Sequence, residues 1–307
     1  AVVVATSRYA AADGAEGVVV DYEPLEAVVD LDDAASDRVV IHDDCGTNVS
    51  YDWPLVPDPD AVAAAFENAA HHVTETYVHQ RLIPAPMEPR GVAAVPAPHN
   101  GDMTLYSSTQ IPHVLKVMGA LTLGMPEQKL RVIAPSVGGG FGCKLNVYAE
   151  ELICMALANR HGGTVRWTET RTEAATSTIQ GRAQKQTIEL AADADGKLTA
   201  VRATLLADMG AYLQLVAPGV PLLGAFLYHG LYDVPAYAFT CRGVFTNLAP
   251  TDAYRGAGRP EATYAIERAM DALAVAVGVE PDEIRSRNFI PTEKFPYDSP
   301  AGLIFDS

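Results

Sequence analysis

Two strand-like runs, residues 184–190 and 198–206, flank Asp193-Ala194-Asp195-Gly196, and this pairing does most to constrain the fold. Asp-Gly accepts the positive φ angles of a tight hairpin turn, so the two runs are expected to pair antiparallel in the middle of the chain. Further strands are expected over residues 71–80, 102–107, 130–134, 165–168 and 239–246. Helices fit between and after them. One carries Val114, Val117, Met118 and Leu121 as its apolar face and closes at Gly124; another carries Leu145, Tyr148, Leu152 and Met155. A long one starts near Glu261 with Ile266, Met270, Leu273 and Val277, a last helical turn covers residues 282–287, and residues 211–230 read as irregular helix packed internally. The class is α+β.

The N-terminal part is different. Residues 2–25 read as strand, short helix (6–12) and strand (17–22), the edge of a small α/β unit. Residues 30–59 are rich in Asp and Pro with little periodicity and are expected as a surface connector, with a domain boundary within it. Asp60 is expected to cap a short helix through Ala70. Residues 83–90 hold Pro84, Pro86 and Pro89, which excludes helix and leaves a fixed loop. Glu88 in that loop is expected at the surface, paired with Arg90.

With 307 residues, 49% of them apolar, the chain can bury a sizeable core as one large domain or two ordinary ones. Its 38 acidic and 22 basic residues give a net charge of −16, and no basic patch interrupts this, which argues against nucleic acid and anionic membrane surfaces as partners. Cys45, Cys143, Cys154 and Cys241 form no C-x-x-C pair, so neither a zinc nor an iron–sulfur site is expected in this chain, and reduced cytoplasmic thiols are. No apolar stretch approaches the roughly 20 residues that span a bilayer. The chain opens on Ala1-Val2-Val3-Val4 and stops in the apolar run 302–305, and it reads as a piece of a longer polypeptide.

The run Gly138-Gly139-Gly140-Phe141-Gly142-Cys143-Lys144 follows one expected strand and precedes a helix. Glycines there remove the Cβ atoms that keep a ligand from the backbone, and their N–H groups can converge on an anion or an oxo group at the helix start. A plain tight turn is the other reading. Two nucleotide templates fail: Lys144 is followed by Leu145 rather than Ser or Thr, and Cys143 stands where a dinucleotide fingerprint has its last glycine. A second dense loop, residues 247–260, carries Arg255 and Arg259, which suit either bidentate anion binding or pairing with a local carboxylate such as Asp252. Gln110 lies at a strand-to-helix junction, where it serves as a turn residue or points into a cleft.

Ser108-Thr109-Gln110, Gly138-Gly139-Gly140-Phe141-Gly142 and Ala253-Tyr254-Arg255-Gly256-Ala257-Gly258-Arg259, in this order, resemble the large, molybdenum-binding subunit of the xanthine dehydrogenase and aldehyde oxidase family, most closely its carbon monoxide dehydrogenase-like members. The resemblance covers essentially the whole chain. It implies that residues 1–30 are the C-terminal part of an α/β hammerhead domain, 31–70 a connector, and 71–307 the N-terminal part of a molybdenum cofactor-binding domain with mixed sheets and packed helices. It further implies molybdopterin cytosine dinucleotide with molybdenum, and hydroxylation of a small-molecule substrate by water-derived oxygen. Electrons would leave to 2Fe–2S clusters and FAD on an iron–sulfur subunit and an FAD subunit, with the large subunit as a homodimer. Carried over residue by residue, Gln110 would hydrogen-bond an oxo ligand of molybdenum, and Gly139, Gly140, Phe141 and Gly142 would lay backbone against the metal and pterin. Arg255, Gly256 and Ala257 would complete the pocket, Arg255 beside the substrate, and no side chain of this chain would ligate a metal.

Two departures narrow the substrate. Molybdenum–copper carbon monoxide dehydrogenases carry a copper-binding cysteine right after the arginine of the second loop, where this chain has Gly256. Xanthine dehydrogenases usually follow the lysine of the glycine run with a glutamate, where this chain has Leu145. An aldehyde or N-heterocycle hydroxylase is therefore expected. The alternatives are a carbon monoxide oxidiser with an altered metal loop and a non-catalytic assembly module whose glycine loops are only turns. The family's catalytic base lies outside this chain, so the isolated 307 residues are expected neither to retain the cofactor nor to turn over. Stoichiometric molybdenum in the purified chain would refute that.

Overall fold

A computed structural model describes residues 1–306. After α1 (Arg8–Glu16) and α2 (Leu31–Ala35) come β1 (Val49–Leu55), α3 (Pro59–Glu67) and β2 (His71–Leu82). The next part holds β3 (Gly91–Ala97), β4 (Asp102–Ser107), α4 (Pro112–Leu123), β5 (Leu130–Ile133), α5 (Ala149–His161), β6 (Val165–Thr168) and α6 (Arg171–Ser177). Then follow β7 (Gly181–Ala192), β8 (Leu198–Gly210), α7 (Gly219–Gly224), β9 (Ala236–Phe245), α8 (Arg259–Val277), α9 (Pro281–Asn288), β10 (Tyr297–Asp298) and β11 (Ile304–Phe305).

The expected hairpin is the centre of a five-stranded mixed sheet ordered β1-β9-β8-β7-β2, in which only β8 and β9 are parallel. Its turn is closed by Asp193, whose Oδ1 accepts the N–H groups of Asp195 and Lys197, each at 2.9 Å, while Gly196 takes φ +80°. One sheet face is covered by α8, whose Ala262, Ala265, Ile266, Met270 and Leu273 pack on Ile188, Val201, Leu205 and Phe239. On the other face Val62 of α3 meets Ala191, Ala200, Ala236 and Ala238. A second mixed sheet, ordered β5-β4-β3-β6, is backed by α4 and α5 through Leu105, Leu115, Leu130 and Met155. Each of these large buried side chains contributes about 2 kcal/mol.

Several local expectations fail, among them the apolar face of α5: the helix begins at Ala149, which leaves Leu145 and Tyr148 outside it. The stretch before residue 49 forms α1 and α2 but no strand: Val2, Val4, Val19 and Tyr22 are exposed, and apolar composition alone cannot make a strand where no neighbour takes up its backbone hydrogen bonds. Residues 31–70 are not a plain surface connector, because β1 pairs with β9 and α3 roofs the sheet; the cap of α3 is Asp58, not Asp60. On α4 the buried residues are Leu115, Gly119 and Ala120, and Leu121 is 74% exposed. This helix is apolar on both sides, and packing settles the choice: Gly119 lies against Met155 of α5 and Leu130 of β5, its Cβ position 2.8 Å from Met155 Cε.

Candidate functional site

The three motifs meet at one place between the two sheets. Gln110 follows β4; its backbone N–H donates to the Lys144 carbonyl at 2.8 Å and its Oε1 accepts the Gly142 N–H at 2.9 Å. The Arg255 N–H donates to the Phe141 carbonyl at 2.9 Å, and the Arg255 guanidinium lies 5.8 Å from the centre of the Phe141 ring. Gln110, Phe141 and Arg255 are exposed, and Gly139, Gly140, Gly142, Gly256 and Ala257 are half-buried beside them. All eight candidate residues therefore lie at one place with some exposure to solvent.

The glycines act differently from the expectation. Added Cβ atoms would point into the protein: at Gly138 onto Glu88 Cβ (2.5 Å), at Gly140 onto Gln110 Oε1 (2.3 Å), at Gly142 onto the Ala253 carbonyl oxygen (1.8 Å). Bare backbone is needed here to bring three chain segments together. Nor is the run a helix N-terminus, since α5 begins only at Ala149. Phe141 and Ala257 are non-glycine residues at φ +54° and +44°, strained conformations of the kind held at ligand sites by their surroundings.

The run is pinned from below by residues outside the three motifs. Lys144 is buried, with its Nζ 3.2 Å from Glu88 Oε2, and the same carboxylate accepts the Gly138 N–H. Glu88 is thus not the partner of Arg90. Arg90 is buried, donates to Glu169 at 2.8 Å and Glu150 at 3.0 Å, and stacks 3.7 Å over Tyr148. The lysine ending a glycine run was the available signal for this anchor; its partner, 56 positions earlier, had none. Asp252 likewise pairs with neither Arg255 nor Arg259. It is buried, accepting from Asn146 Nδ2 at 3.0 Å and the Val216 N–H at 3.3 Å, and burial pushes its carboxyl above the usual range.

A molybdenum–pterin group fits what is left free. Among the described residues, the N–H groups of Gly139, Gly140 and Phe141 have no protein acceptor, and Gln110 Oε1 is engaged while its amide nitrogen is not. No carboxylate forms an ion pair with Arg255 among the described residues. The convergent loops therefore offer successive backbone donors, a side-chain amide and an unpaired cation, the set that buried oxo and phosphate oxygens require.

Comparison with known proteins agrees. Residues 41–289 match the molybdopterin cofactor-binding domain family. The chain is 36% identical over 323 residues to the carbon monoxide dehydrogenase large chain of Hydrogenophaga pseudoflava, covering 100% of this chain and 40% of that one. It is 37% identical over 308 residues to the nicotine 6-hydroxylase large subunit of Paenarthrobacter nicotinovorans, covering 99% of this chain and 37% of that one. The quinoline 2-oxidoreductase structure from Pseudomonas putida 86 superposes with a TM-score of 0.92 at 32% identity, over 98% of this chain and 38% of the other. The chain thus spans about two fifths of the length of these relatives. Among the described residues no helix is long and apolar enough to cross a membrane. The chain belongs to the molybdopterin cofactor-binding domain family.

Proposed function

We propose that this chain is the first cofactor-facing part of the catalytic large subunit of a molybdopterin-dependent oxidoreductase that hydroxylates an N-heterocycle or aldehyde with water-derived oxygen. The observation that carries this reading is the convergence of Gln110, residues 139–142 and Arg255 on one place that presents free donors. The family match supports it, and the names nicotine 6-hydroxylase and quinoline 2-oxidoreductase favour the N-heterocycle. When bound, the cofactor, as its cytosine dinucleotide, supplies the oxygen-transfer and electron-accepting centre. The chain's residues bind and orient. Gln110, its carbonyl tied to Gly142, presents its amide N–H to an oxo group; Gly139, Gly140 and Phe141 donate backbone N–H groups; Gly142, Gly256 and Ala257 hold the walls together; Arg255 faces the substrate.

In this reading residues 1–30 end a hammerhead domain and the cofactor domain begins within 31–70, ahead of the boundary expected at residue 71, because the family match starts at residue 41 and β1 pairs with β9. The subunit works in the cytoplasm as a homodimer with an iron–sulfur and an FAD subunit; the large-chain and large-subunit names of the relatives support its being one subunit of a complex. Carbon monoxide oxidation is the second reading, favoured by 36% identity to a carbon monoxide dehydrogenase large chain. The loop opposes it. Gly256 has φ +102° and its Cβ position lies 2.5 Å from Pro260 Cγ, so a copper-binding side chain has no room there. The test is turnover of the complete enzyme: Gln110→Ala and Arg255→Ala should each lower kcat/KM for a quinoline-type substrate about 100-fold. Wild-type turnover by both variants sinks the assignment, and cyanide-sensitive carbon monoxide oxidation would favour the second reading.

A further inference from the structure

Strand β7 begins directly beneath the Arg255 loop. At Gly181 a Cβ would lie 2.4 Å from Tyr254 Cβ, and the next two residues, Arg182 and Ala183, both adopt positive φ, +64° and +55°. Successive non-glycine residues in this region are costly and persist only where the surroundings hold them. The Arg182 side chain lies along the loop. Its Nη2 donates to the Arg255 carbonyl at 2.8 Å, its Nη1 to the Tyr254 carbonyl at 3.2 Å and to Glu261 Oε1 at 3.1 Å, and its guanidinium lies 4.7 Å from the Tyr254 ring centre. Glu261 is fully buried in the first turn of α8, its Oε2 without a hydrogen-bond partner, and Arg182 is its one ion-pair partner among the described residues.

We propose that Arg182, held by buried Glu261, is the positioning residue of the Arg255 loop. Backbone groups of Arg255 are fixed on both sides: its N–H by the Phe141 carbonyl and its C=O by Arg182. With both flanking peptide planes held, the direction in which the Arg255 side chain leaves the loop is set. Gly256, at φ +102°, is the joint that would otherwise swing. A buried carboxylate is needed behind Arg182 because it fixes a long flexible side chain in one geometry, so that the fork of donors is already aimed. The inference rests on the reading of Arg255 as the substrate-facing residue.

The test compares Arg182→Met, Arg182→Lys and Glu261→Gln in the complete enzyme by amide hydrogen exchange and steady-state kinetics. Arg182→Met should speed exchange at the Arg255 and Ala257 amides about tenfold or more while leaving Ile188 and Leu205 in the sheet unchanged. It should raise KM about tenfold with a smaller change in kcat. Arg182→Lys, whose ammonium still reaches one carbonyl, should recover part of both effects. Glu261→Gln should show the same pattern more weakly, and it carries the comparison if Arg182→Met does not fold. Exchange at Arg255 and Ala257 within about twofold of wild type in both Arg182→Met and Glu261→Gln overturns the proposal. Protection lost equally at Ile188 and Leu205 overturns it too, since that marks a merely structural pair. A wild-type KM in Arg255→Ala overturns instead the substrate-facing reading, which the exchange data do not touch.

Discussion

Gly142→Ala tests the claim that the glycines close contacts between segments. An alanine Cβ would stand 1.8 Å from the Ala253 carbonyl oxygen, against the 3.4 Å at which ordinary contact begins, so the two loops must part by 3.4 − 1.8 = 1.6 Å. That separation breaks the Arg255 N–H bond to Phe141 and the Gly142 N–H bond to Gln110, about 1 kcal/mol each. The φ of +102° adds about 1–2 kcal/mol for a residue with a Cβ. The sum is about 3–4 kcal/mol, or a melting temperature lower by about 6–8 °C at roughly 2 °C per kcal/mol. Two controls separate the contributions. Gly46→Ala has φ +69° with no atom within 4 Å and should lower it by about 2–4 °C; Gly163→Ala, in open space with ordinary φ, should change it by about 1 °C at most. Differential scanning calorimetry of the three variants decides. Equal losses for Gly142→Ala and Gly46→Ala would show that backbone conformation, not loop contact, makes the glycine necessary.

Two further outcomes concern stability. Glu169→Ala leaves Arg90 in a pocket where its side chain is 6% exposed, with Glu150 alone as partner, and should cost about 3–5 kcal/mol in urea unfolding; the double replacement Arg90→Met with Glu169→Leu should cost less than Glu169→Ala alone. A larger loss in the double variant would refute the unpaired-charge argument. Glu189, hydrogen-bonded by Arg202, is held below the usual glutamate range. Its contribution is therefore complete above the unfolded pKa of about 4.3 and is lost as pH falls through the lowered folded value, so Arg202→Gln, a half-exposed site, should cost less than about 1 kcal/mol at pH 7 and converge with wild type in acid. A constant offset down to pH 2 would contradict this.

The central sheet was legible because its signal is local. A hairpin turn and two flanking runs are neighbours in sequence, and α8 shows a clean apolar stripe from Ile266 to Leu273. Where the chain is apolar on two sides, as along α4, periodicity admits two buried faces and only the fit of Gly119 against Met155 chooses between them. The valines before residue 30 mislead for the opposite reason, since strand composition has no force without a partner strand.

The site divides in the same way. Gln110, the glycine run and Arg255 stand out because each combines special backbone freedom with a polar group, which a sequence displays. What holds them does not stand out. Lys144 is anchored by Glu88 and the Arg255 loop by Arg182 and Glu261, pairs of common charged residues separated by 56 and 79 positions. On sequence alone Glu88, Arg182 and Glu261 carry no such signal, and in the fold each lies at a junction of segments, where Lys144 and Glu261 are buried with an opposite charge delivered to them. It follows that substitutions at Glu88 or Glu261 should disturb residues 139–142 and the Arg255 loop as much as substitutions within the glycine run, although neither residue belongs to the three motifs. The residues proposed to touch a ligand are readable from the chain; those that hold them in place are fixed only by the tertiary contacts.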